Sequence, residues 1–393
     1  MPPLPAAKVG REAAAREGAA AANVYDLREL AGAFGDLGTL VPFVVGYVAV
    51  AKVDAAGILL TLGLAQVAAG LYYRTPIPVQ PMKVIGGAAI ASGGAVGAGA
   101  ICAAGLFTGL FWLVAGATGA VGLVTRLAAK PVLRGIVVGL GLRFIAEGAA
   151  LMWTAPWLGA LGLALTFALL ARPRIPPMFA LLLLGAAATC LLDPVQARAV
   201  LGVRPALRLP ELALGRLGWS ELAQGAIVLA IPQLPLTLGN AILAVRAENN
   251  ALFPHRPVTD RALAISQGLI NLAAAPLGGI PLCHGAGGMA GHVRFGARTG
   301  GALVILGVLL AALGLFFGGS VELLFRLFPK AVLGVILFFA GAELALAARD
   351  LGREKEDVYV AVVVAGLATW NMGAAFLAGV ILHPLLRRRW VRI

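Results

Sequence analysis

The sequence predicts an all-α polytopic membrane protein with 14 transmembrane segments in a 7+7 inverted repeat, in which two short extended stretches precede half-helices. Three observations carry this prediction: the scarcity of charge, the recurrence of long apolar runs, and motifs shared by the two halves. Of the 393 residues, 60% are hydrophobic and only 12% are charged. A soluble domain is about 25% charged, and about 20 apolar residues suffice to cross a bilayer. We therefore expect an integral multi-pass protein surrounded by the lipid bilayer.

Apolar runs bounded by charge, Pro or Gly divide the chain into two sets of seven. The first set comprises 31–51, 55–73, 79–96, 98–122, 131–151, 154–171 and 176–192. The second set comprises 221–245, 259–276, 283–296, 299–318, 330–348, 357–371 and 373–387. The resulting divisions are a cytoplasmic N-terminal arm (1–30), a first repeat (31–192), an extracytoplasmic loop (193–219), a second repeat (220–387) and a cytoplasmic tail (388–393).

The positive charges favour one orientation of these segments. The formal net charge is +13, but Lys and Arg are scattered between apolar runs rather than gathered on a domain, which argues against nucleic-acid binding. With both termini cytoplasmic, the inside segments hold about three times as many Lys and Arg as the outside segments. The residues before 31 contain no apolar signal-peptide core. We expect a plasma (inner) membrane protein with both termini in the cytoplasm.

Two pairs of similar motifs relate the halves. KPVLRG at 130–135 is echoed by KAVLGV at 330–335, and IPVQPMKVIGG at 77–87 by IPLCHGAGG at 280–288. Because seven spans is an odd number, the second copy must enter the membrane from the opposite face. An inverted repeat of this kind is typical of secondary transporters.

The second motif pair interrupts two spans with Pro and Gly. An extended backbone cannot face lipid, because its N–H and C=O groups would be unpaired, so each stretch must be buried in protein or line a cavity. We expect the two stretches to pair with each other and then to begin half-helices. Pro81 suits a first helical position, where its missing N–H costs nothing. Gly285, Gly287 and Gly288 would let a ligand approach the second helix closely.

Two half-helices that begin near the membrane midplane would make an anion site. Each N-terminus carries about +0.5 of a charge and unpaired N–H donors. Lys83 in the first turn brings the sum to roughly +2, which matches a doubly charged oxyanion. The alternative is that Lys83 extends to the cytoplasmic interface near Arg74.

Four segments then identify a resemblance. GDLGTLVP (35–42), PIPVQPMK (76–83), LTLGNAI (236–242) and PLCHGAGGMAGHVRFGARTG (281–300) resemble the molybdate transporter family, a branch of the sulfate permease (SulP) superfamily. The resemblance implies the seven-plus-seven fold shared with uracil permeases, with spans 1–4 and 8–11 as a core domain and spans 5–7 and 12–14 as a gate domain.

The resemblance also implies how the protein works. The third and tenth spans, which open here at Gln80 and His284, would flank the substrate, and the core would slide against the gate like an elevator. Members of the wider superfamily are usually homodimers. Sulfate permeases typically end in a cytoplasmic STAS domain, whereas this chain ends at Ile393, shortly after its last predicted span, as in the molybdate branch.

The candidate substrate-binding residues come from the two broken segments and from polar positions in spans one and eight. They are Thr39, Gln80, Met82, Lys83, Asn240, Cys283, His284, Gly285, Ala286 and Gly287. Thr39 and Asn240, with Gln233 and Thr237, could orient oxyanion oxygens or simply hydrogen-bond between helices. His284 could donate an N–H to the anion or hold the loop. Its eight-residue spacing from His292 does not suit a metal, so we expect no metal site.

Asp36 is the candidate coupling residue, because a carboxylate at membrane depth is functional by default. Its protonation would lower the repulsion of an incoming dianion, which would couple transport to protons. The alternative is that Asp36 caps a helix break near Gly35 and Gly38, or pairs with Lys83 when the site is empty.

Arg143, Glu147 and Glu343 are the other charges within spans. An intramembrane Arg needs a partner, so Arg143 is expected to form a structural ion pair with Glu147 or Glu343 in the gate domain, with a coupling role as the alternative.

These observations favour a secondary active transporter of a tetrahedral oxyanion, with molybdate indicated by the resemblance and sulfate or tungstate left open. An anion channel would use similar helix ends. The sequence contains no nucleophile elbow, HExxH or paired-carboxylate motif, so we expect neither an enzyme nor a cofactor.

Overall fold

Helices form nearly all of the regular structure in the computed structural model, which describes residues 22–124, 129–170, 177–321, 323, 329–352, 354–388 and 390. In the first half, α1 is Leu27–Ala33, α2 Leu37–Ala49, α3 Ala55–Tyr73, α4 Lys83–Ala91, α5 Ala98–Thr118, α6 Val121–Val124, α7 Lys130–Met152, α8 Pro156–Leu170, α9 Pro177–Leu192 and α10 Pro194–Leu201. In the second half, α11 is Trp219–Leu252, α12 Asp260–Ala274, α13 Ala286–Arg294, α14 Gly301–Phe317, α15 Lys330–Ala345, α16 Lys355–Trp370 and α17 Met372–Arg387.

Regular α geometry is interrupted between α1 and α2 and again within α11. A 3-10 turn, Phe34–Asp36, separates α1 from α2, and the two helices are bent by 52° at this break. Helix α11 contains two π-helical stretches, Gln224–Ala230 and Thr237–Ala244, on either side of a segment that carries Pro232 and Pro235. Prolines lack the N–H that a regular helix needs, and π-helical turns often mark functional positions.

In the described part of the chain, five helices are long and apolar enough to cross a membrane, namely α3, α5, α7, α11 and α14. The bent pair α1–α2 raises the number to six. The predicted count of 14 is therefore not confirmed by length and composition. The physical reason is that the broken segments supply only nine-residue helices, α4 and α13, and that other apolar helices run to only 10–17 residues.

The two broken segments meet in a small antiparallel sheet. Strand β1, Gln80–Pro81, pairs with β2, Leu282–Cys283, so that Gln80 lies opposite Cys283. The N–H of Met82 donates to the carbonyl oxygen of Pro281 at 2.8 Å. The expected pairing of the segments is thus observed. The expectation that Pro81 begins the helix is wrong, because this bond keeps the chain extended through Pro81 and α4 begins at Lys83.

Reciprocal glycine contacts join helices of the first half to helices of the second. A Cβ built on Gly141 of α7 would lie 2.5 Å from the Gly341 oxygen of α15, and a Cβ on Gly341 would lie 2.5 Å from the Gly141 oxygen. Gly63 of α3 and Gly307 of α14 are related in the same way, again at 2.5 Å in each direction. Such close backbone approach is the usual way that membrane helices pack.

The described residues before 31 also pack on the helices. The Asn23 amide donates to the Gly70 carbonyl at 3.0 Å. The buried carboxylate of Glu29 accepts the N–H groups of Arg298, Thr299 and Ala302 at 2.8, 2.9 and 3.0 Å, which caps the start of α14. Helix α1 accordingly begins before the predicted start of the first span.

Candidate functional site

Two buried amides hold the strand pair. The Gln66 side chain of α3 donates to the Val79 carbonyl at 2.9 Å and accepts the Val79 N–H at 3.2 Å. The Asn271 side chain of α12 makes the same double contact with Leu282, at 2.6 and 2.8 Å. Both amides are fully buried. They supply the hydrogen bonds that an extended backbone inside a membrane must find in protein.

Helix α4 begins directly beyond β1. Its first residue, Lys83, is half-buried and forms no ion pair with the carboxylates that the structure describes. The next N–H, that of Val84, donates to the Gln233 Oε1 atom of α11 at 2.8 Å, and Gln233 Nε2 donates to Thr237 at 3.0 Å. Gln233 therefore caps α4, and its side chain occupies one of the donors that were expected to face an anion.

Helix α13 begins directly beyond β2, with Gly285 as its N-cap. Its first turn is Ala286, Gly287 and Gly288, whose N–H groups have no partner within the helix. A Cβ on Gly287 would meet no atom within 4 Å. The N-terminus of α13 is thus open beside Gly287, as an approaching ligand requires.

The other side of the same turn is occupied by Asp36. A Cβ on Gly288 would overlap the Gln80 amide nitrogen and would lie 2.7 Å from Asp36 Oδ2. Asp36 as a residue is 3% exposed, and Gln80 Nε2 donates to its Oδ2 atom at 2.6 Å. A carboxylate therefore lies against the positive end of α13.

This placement bears on the alternatives for Asp36. Its backbone is the N-cap residue of α2, but its side chain makes no capping hydrogen bond there. The Lys83 charge acts on Asp36 electrostatically, but these two described residues form no ion pair, since their charged atoms are more than 4.0 Å apart. Neither the side-chain cap nor the direct Lys83 pair that were alternatives for Asp36 is seen.

His284 is buried, and both of its ring nitrogens are engaged within the protein. Nδ1 lies 2.9 Å from the Pro78 carbonyl oxygen, and Nε2 lies 2.8 Å from Ser266 Oγ, which is itself 2.5 Å from the Tyr73 hydroxyl. The imidazole ties both broken segments to α12 and α3. Of its two expected roles, these contacts support holding the loop, because no ring nitrogen is left to donate to an anion.

The remaining candidates differ in burial. Met82 is fully buried as the N-cap residue of α4, and Cys283 is buried in β2. Thr39 of α2 and Asn240 in the second π-helical stretch of α11 are half-buried. Their hydroxyl and amide groups remain candidates for orienting a ligand.

Arg143 makes contacts that its sequence did not predict. Its guanidinium donates to the Ala91 carbonyl at the end of α4 at 2.9 Å and to the Thr369 carbonyl near the end of α16 at 3.1 Å. Glu147 is exposed and, among the described residues, forms no ion pair with Arg143. The Glu343 side chain lies outside the described residues, so pairing with it stays a prediction.

Sequence reasoning missed the supporting residues. Gln66, Asn271 and Glu29 were not singled out, although each is a polar residue within or beside an apolar run, which could have been a signal. Within the described ranges, no cluster of three or more His, Cys, Asp or Glu side chains is arranged to hold a metal ion.

An anion would suit the features gathered here, which are two helix N-termini, a Lys83 ammonium that pairs with no described carboxylate, and an open face at Gly287. The transmembrane domain of a cyanobacterium bicarbonate transporter, BicA, matches 91% of this chain and 97% of its own with a TM-score of 0.60 at 16% identity. Murine Slc26a9, described as an anion transporter in the inward-facing state, matches 94% of this chain and 69% of its own with a TM-score of 0.66 at 14% identity. At these identities the likeness shows a shared fold.

Sequence comparison is more specific. Molybdate transporter 2 of Arabidopsis thaliana is 33% identical over 92% of this chain and 87% of its own length. The family model described as "Molybdate transporter of MFS superfamily" matches residues 28–144 and 225–344. The chain shares its fold with BicA and Slc26a9. The predicted resemblance is confirmed, and this chain belongs to the molybdate transporter family.

Proposed function

We propose that the protein is a secondary active transporter of a tetrahedral oxyanion, and that molybdate is its substrate. The observation that carries the proposal is the start of α4 and α13 on either side of the β1–β2 pair. The anion would bind to first-turn N–H groups of Ala286 and Gly287 and to the Lys83 ammonium. Helix N-termini favour such ligands through both their free donors and their dipoles.

The substrate assignment is supported by relatives. Curated proteins that share 31–33% identity with most of this chain carry the name molybdate transporter. Sulfate and tungstate have the same charge and shape, so they are the natural competitors. BicA is a bicarbonate transporter, so a protein of this fold can also carry another anion.

The charges around the site suggest coupling to protons. The two helix ends contribute about +1 and Lys83 another +1, while an ionised Asp36 subtracts one, which leaves roughly +1 for a dianion. Protonation of Asp36 would restore roughly +2. Because like charges repel strongly in a buried site, one proton taken up with each dianion would be favoured.

Transport would proceed by elevator-type alternating access. The reciprocal contacts of Gly141 with Gly341 and of Gly63 with Gly307 support an inverted 7+7 repeat, with repeats at 31–192 and 220–387 joined by the loop 193–219. Spans 1–4 and 8–11 would form the moving core. We place the protein in the plasma (inner) membrane as a homodimer, with the arm 1–30 and the tail 388–393 in the cytoplasm.

The test is uptake of radiolabelled molybdate into proteoliposomes, with sulfate as competitor and Lys83→Ala as the site variant. We expect saturable uptake without single-channel current, weak competition by sulfate, and at least a tenfold loss of affinity in K83A, since a charged hydrogen bond contributes about 1.5–3 kcal/mol. The matched control is Lys355→Ala at the exposed start of α16.

Equal or better transport of sulfate would overturn the substrate assignment. Normal uptake by K83A would show that Lys83 extends to the interface instead. Single-channel currents would identify a channel rather than a carrier.

A further inference from the structure

The Gln80 carboxamide lies across the first turn of α13 with its two ends in different environments. Its Nε2 atom donates to Asp36 Oδ2 at 2.6 Å. Its Oε1 atom is buried and has no hydrogen-bond partner among the residues that the structure describes, and it is the atom that a Cβ on Gly285 would meet first. Gln80 as a whole is fully buried.

The orientation of this amide follows from the charge on Asp36. An ionised carboxylate can only accept hydrogen bonds, so it must face the amide nitrogen. The amide oxygen is then left against Gly285, the N-cap residue of α13. A buried acceptor without a donor is costly, and an acceptor beside an oxyanion cannot bond to it.

A protonated Asp36 removes the constraint. Its O–H can donate to Gln80 Oε1, and the terminal torsion of a glutamine is soft, so the amide can turn over. The turn would exchange the two ends of the amide: Oε1 would accept from Asp36, and Nε2 would point a donor toward the N-cap of α13.

We propose that the Gln80 carboxamide turns over when Asp36 takes up a proton, so that it offers an N–H donor to the oxyanion only while Asp36 is protonated. Gln80 thereby relays the protonation state of Asp36 to the substrate. The inference rests on the proposed function and adds to it a positioning residue. One proton is taken up by Asp36 as the anion binds, and it leaves again when the anion is released.

Other titratable groups surround Asp36. His292 on α13, Lys83 on α4 and Cys283 on β2 act on it electrostatically. His292 is buried, and its Nδ1 atom lies 2.7 Å from the Gly32 carbonyl. Gln80 and Thr39 both make side-chain hydrogen bonds to Asp36, and of these two the Gln80 amide lies against Gly285, the N-cap residue of α13. The relay can therefore be tested at Asp36 and Gln80.

The experiment is a double-mutant cycle on the purified full chain, with the dissociation constant of radiolabelled molybdate measured at pH 8. Asp36→Asn imitates the protonated side chain, since Asn can donate to Gln80 Oε1. Gln80→Met keeps the length of the side chain but has no donor. We expect D36N to tighten binding about tenfold more in the presence of Gln80 than in the presence of Q80M, the value of one hydrogen bond to a charged ligand.

The outcomes separate the inference from the proposed function. An equal gain from D36N in both backgrounds means that charge relief alone is at work, and it overturns the relay while molybdate binding stands. Absence of saturable molybdate binding by the wild-type protein overturns both. Gln80→Leu replaces Q80M if that variant does not fold. Gln267→Met, at a fully buried glutamine of α12, is the matched control and should leave the D36N gain unchanged.

Discussion

Gln80 and Cys283 lie opposite each other in an antiparallel strand pair, and a half-helix begins three residues beyond each of them, at Lys83 and Ala286. Because the strands run in opposite directions, the two helices leave the pair from opposite ends. Each helix start is therefore fixed to the other by backbone hydrogen bonds. The β1–β2 pair next to an anion at one helix N-terminus thus also positions the N-terminus of the other helix.

Alanine substitutions at the neighbouring residues Gly287 and Gly288 should affect the stability of the protein differently. A Cβ on Gly288 would collide with the Gln80 amide and lie 2.7 Å from Asp36 Oδ2, so Gly288→Ala should destabilise the protein by about 1–3 kcal/mol. A Cβ on Gly287 would meet nothing within 4 Å, so Gly287→Ala should leave the melting temperature unchanged.

The same pair tests the position of the anion. Because the open side of Gly287 is where the substrate is proposed to approach, G287A should weaken molybdate binding while the protein stays folded. Thermal melting and equilibrium binding on the same preparations make the comparison. If G287A binds molybdate as tightly as the wild type, the anion does not lie at this turn.

Two substitutions of Gln233 distinguish its effect on the stability of α4 from its effect on anion binding. Gln233→Leu removes the cap on the Val84 N–H and should cost about 1 kcal/mol. Gln233→Glu keeps an acceptor at the helix N-terminus, where a negative charge is favourable, so its stability should match the wild type. That charge would compete with the substrate, and we expect at least a tenfold loss of molybdate affinity in Q233E.

Melting curves and molybdate-binding isotherms of Q233L and Q233E check the expected loss of stability in the first and of affinity in the second. A Q233E protein that melts normally and binds molybdate normally would contradict the electrostatic role of the α4 N-terminus.

Arg143 joins the end of α4 to α16 through two carbonyl groups. Arg143→Met should cost about 1.5–3 kcal/mol for each charged hydrogen bond lost, reduced by the exposure of the partly buried guanidinium. Glu147→Gln should have no effect on the melting temperature. Comparable losses in R143M and E147Q would instead support an ion pair between Arg143 and Glu147, one of the two partners that the sequence predicted.

The broken segments could be predicted because Pro fixes its own φ and lacks an N–H, whereas Gly allows conformations that other residues avoid, whatever the neighbours. Four prolines lie at Pro76, Pro78, Pro81 and Pro281. They predicted extended chain, mutual pairing and subsequent half-helices, and the structure contains a strand pair followed by α4 and α13.

The roles of single polar side chains could not be predicted in the same way. The sequence left Gln233 to orient the oxyanion or to hydrogen-bond between helices, and the structure shows the second, a cap on α4. It left His284 to bind the anion or to hold the loop, and both ring nitrogens lie close to Pro78 and Ser266. These roles depend on which atom of a distant span lies opposite each side chain, and the local sequence does not contain that information. For the same reason α4 begins at Lys83 and not at the predicted Pro81, because the hydrogen bond between Met82 and Pro281 joins the two halves of the chain.

The most direct test of the central claim is to locate the substrate by anomalous scattering at the molybdenum absorption edge, in crystals of the protein grown with molybdate. We predict a single molybdenum peak within hydrogen-bonding reach of the N–H groups of Ala286 and Gly287 and of the Lys83 ammonium. A peak that lies away from the starts of both α4 and α13 would contradict the account.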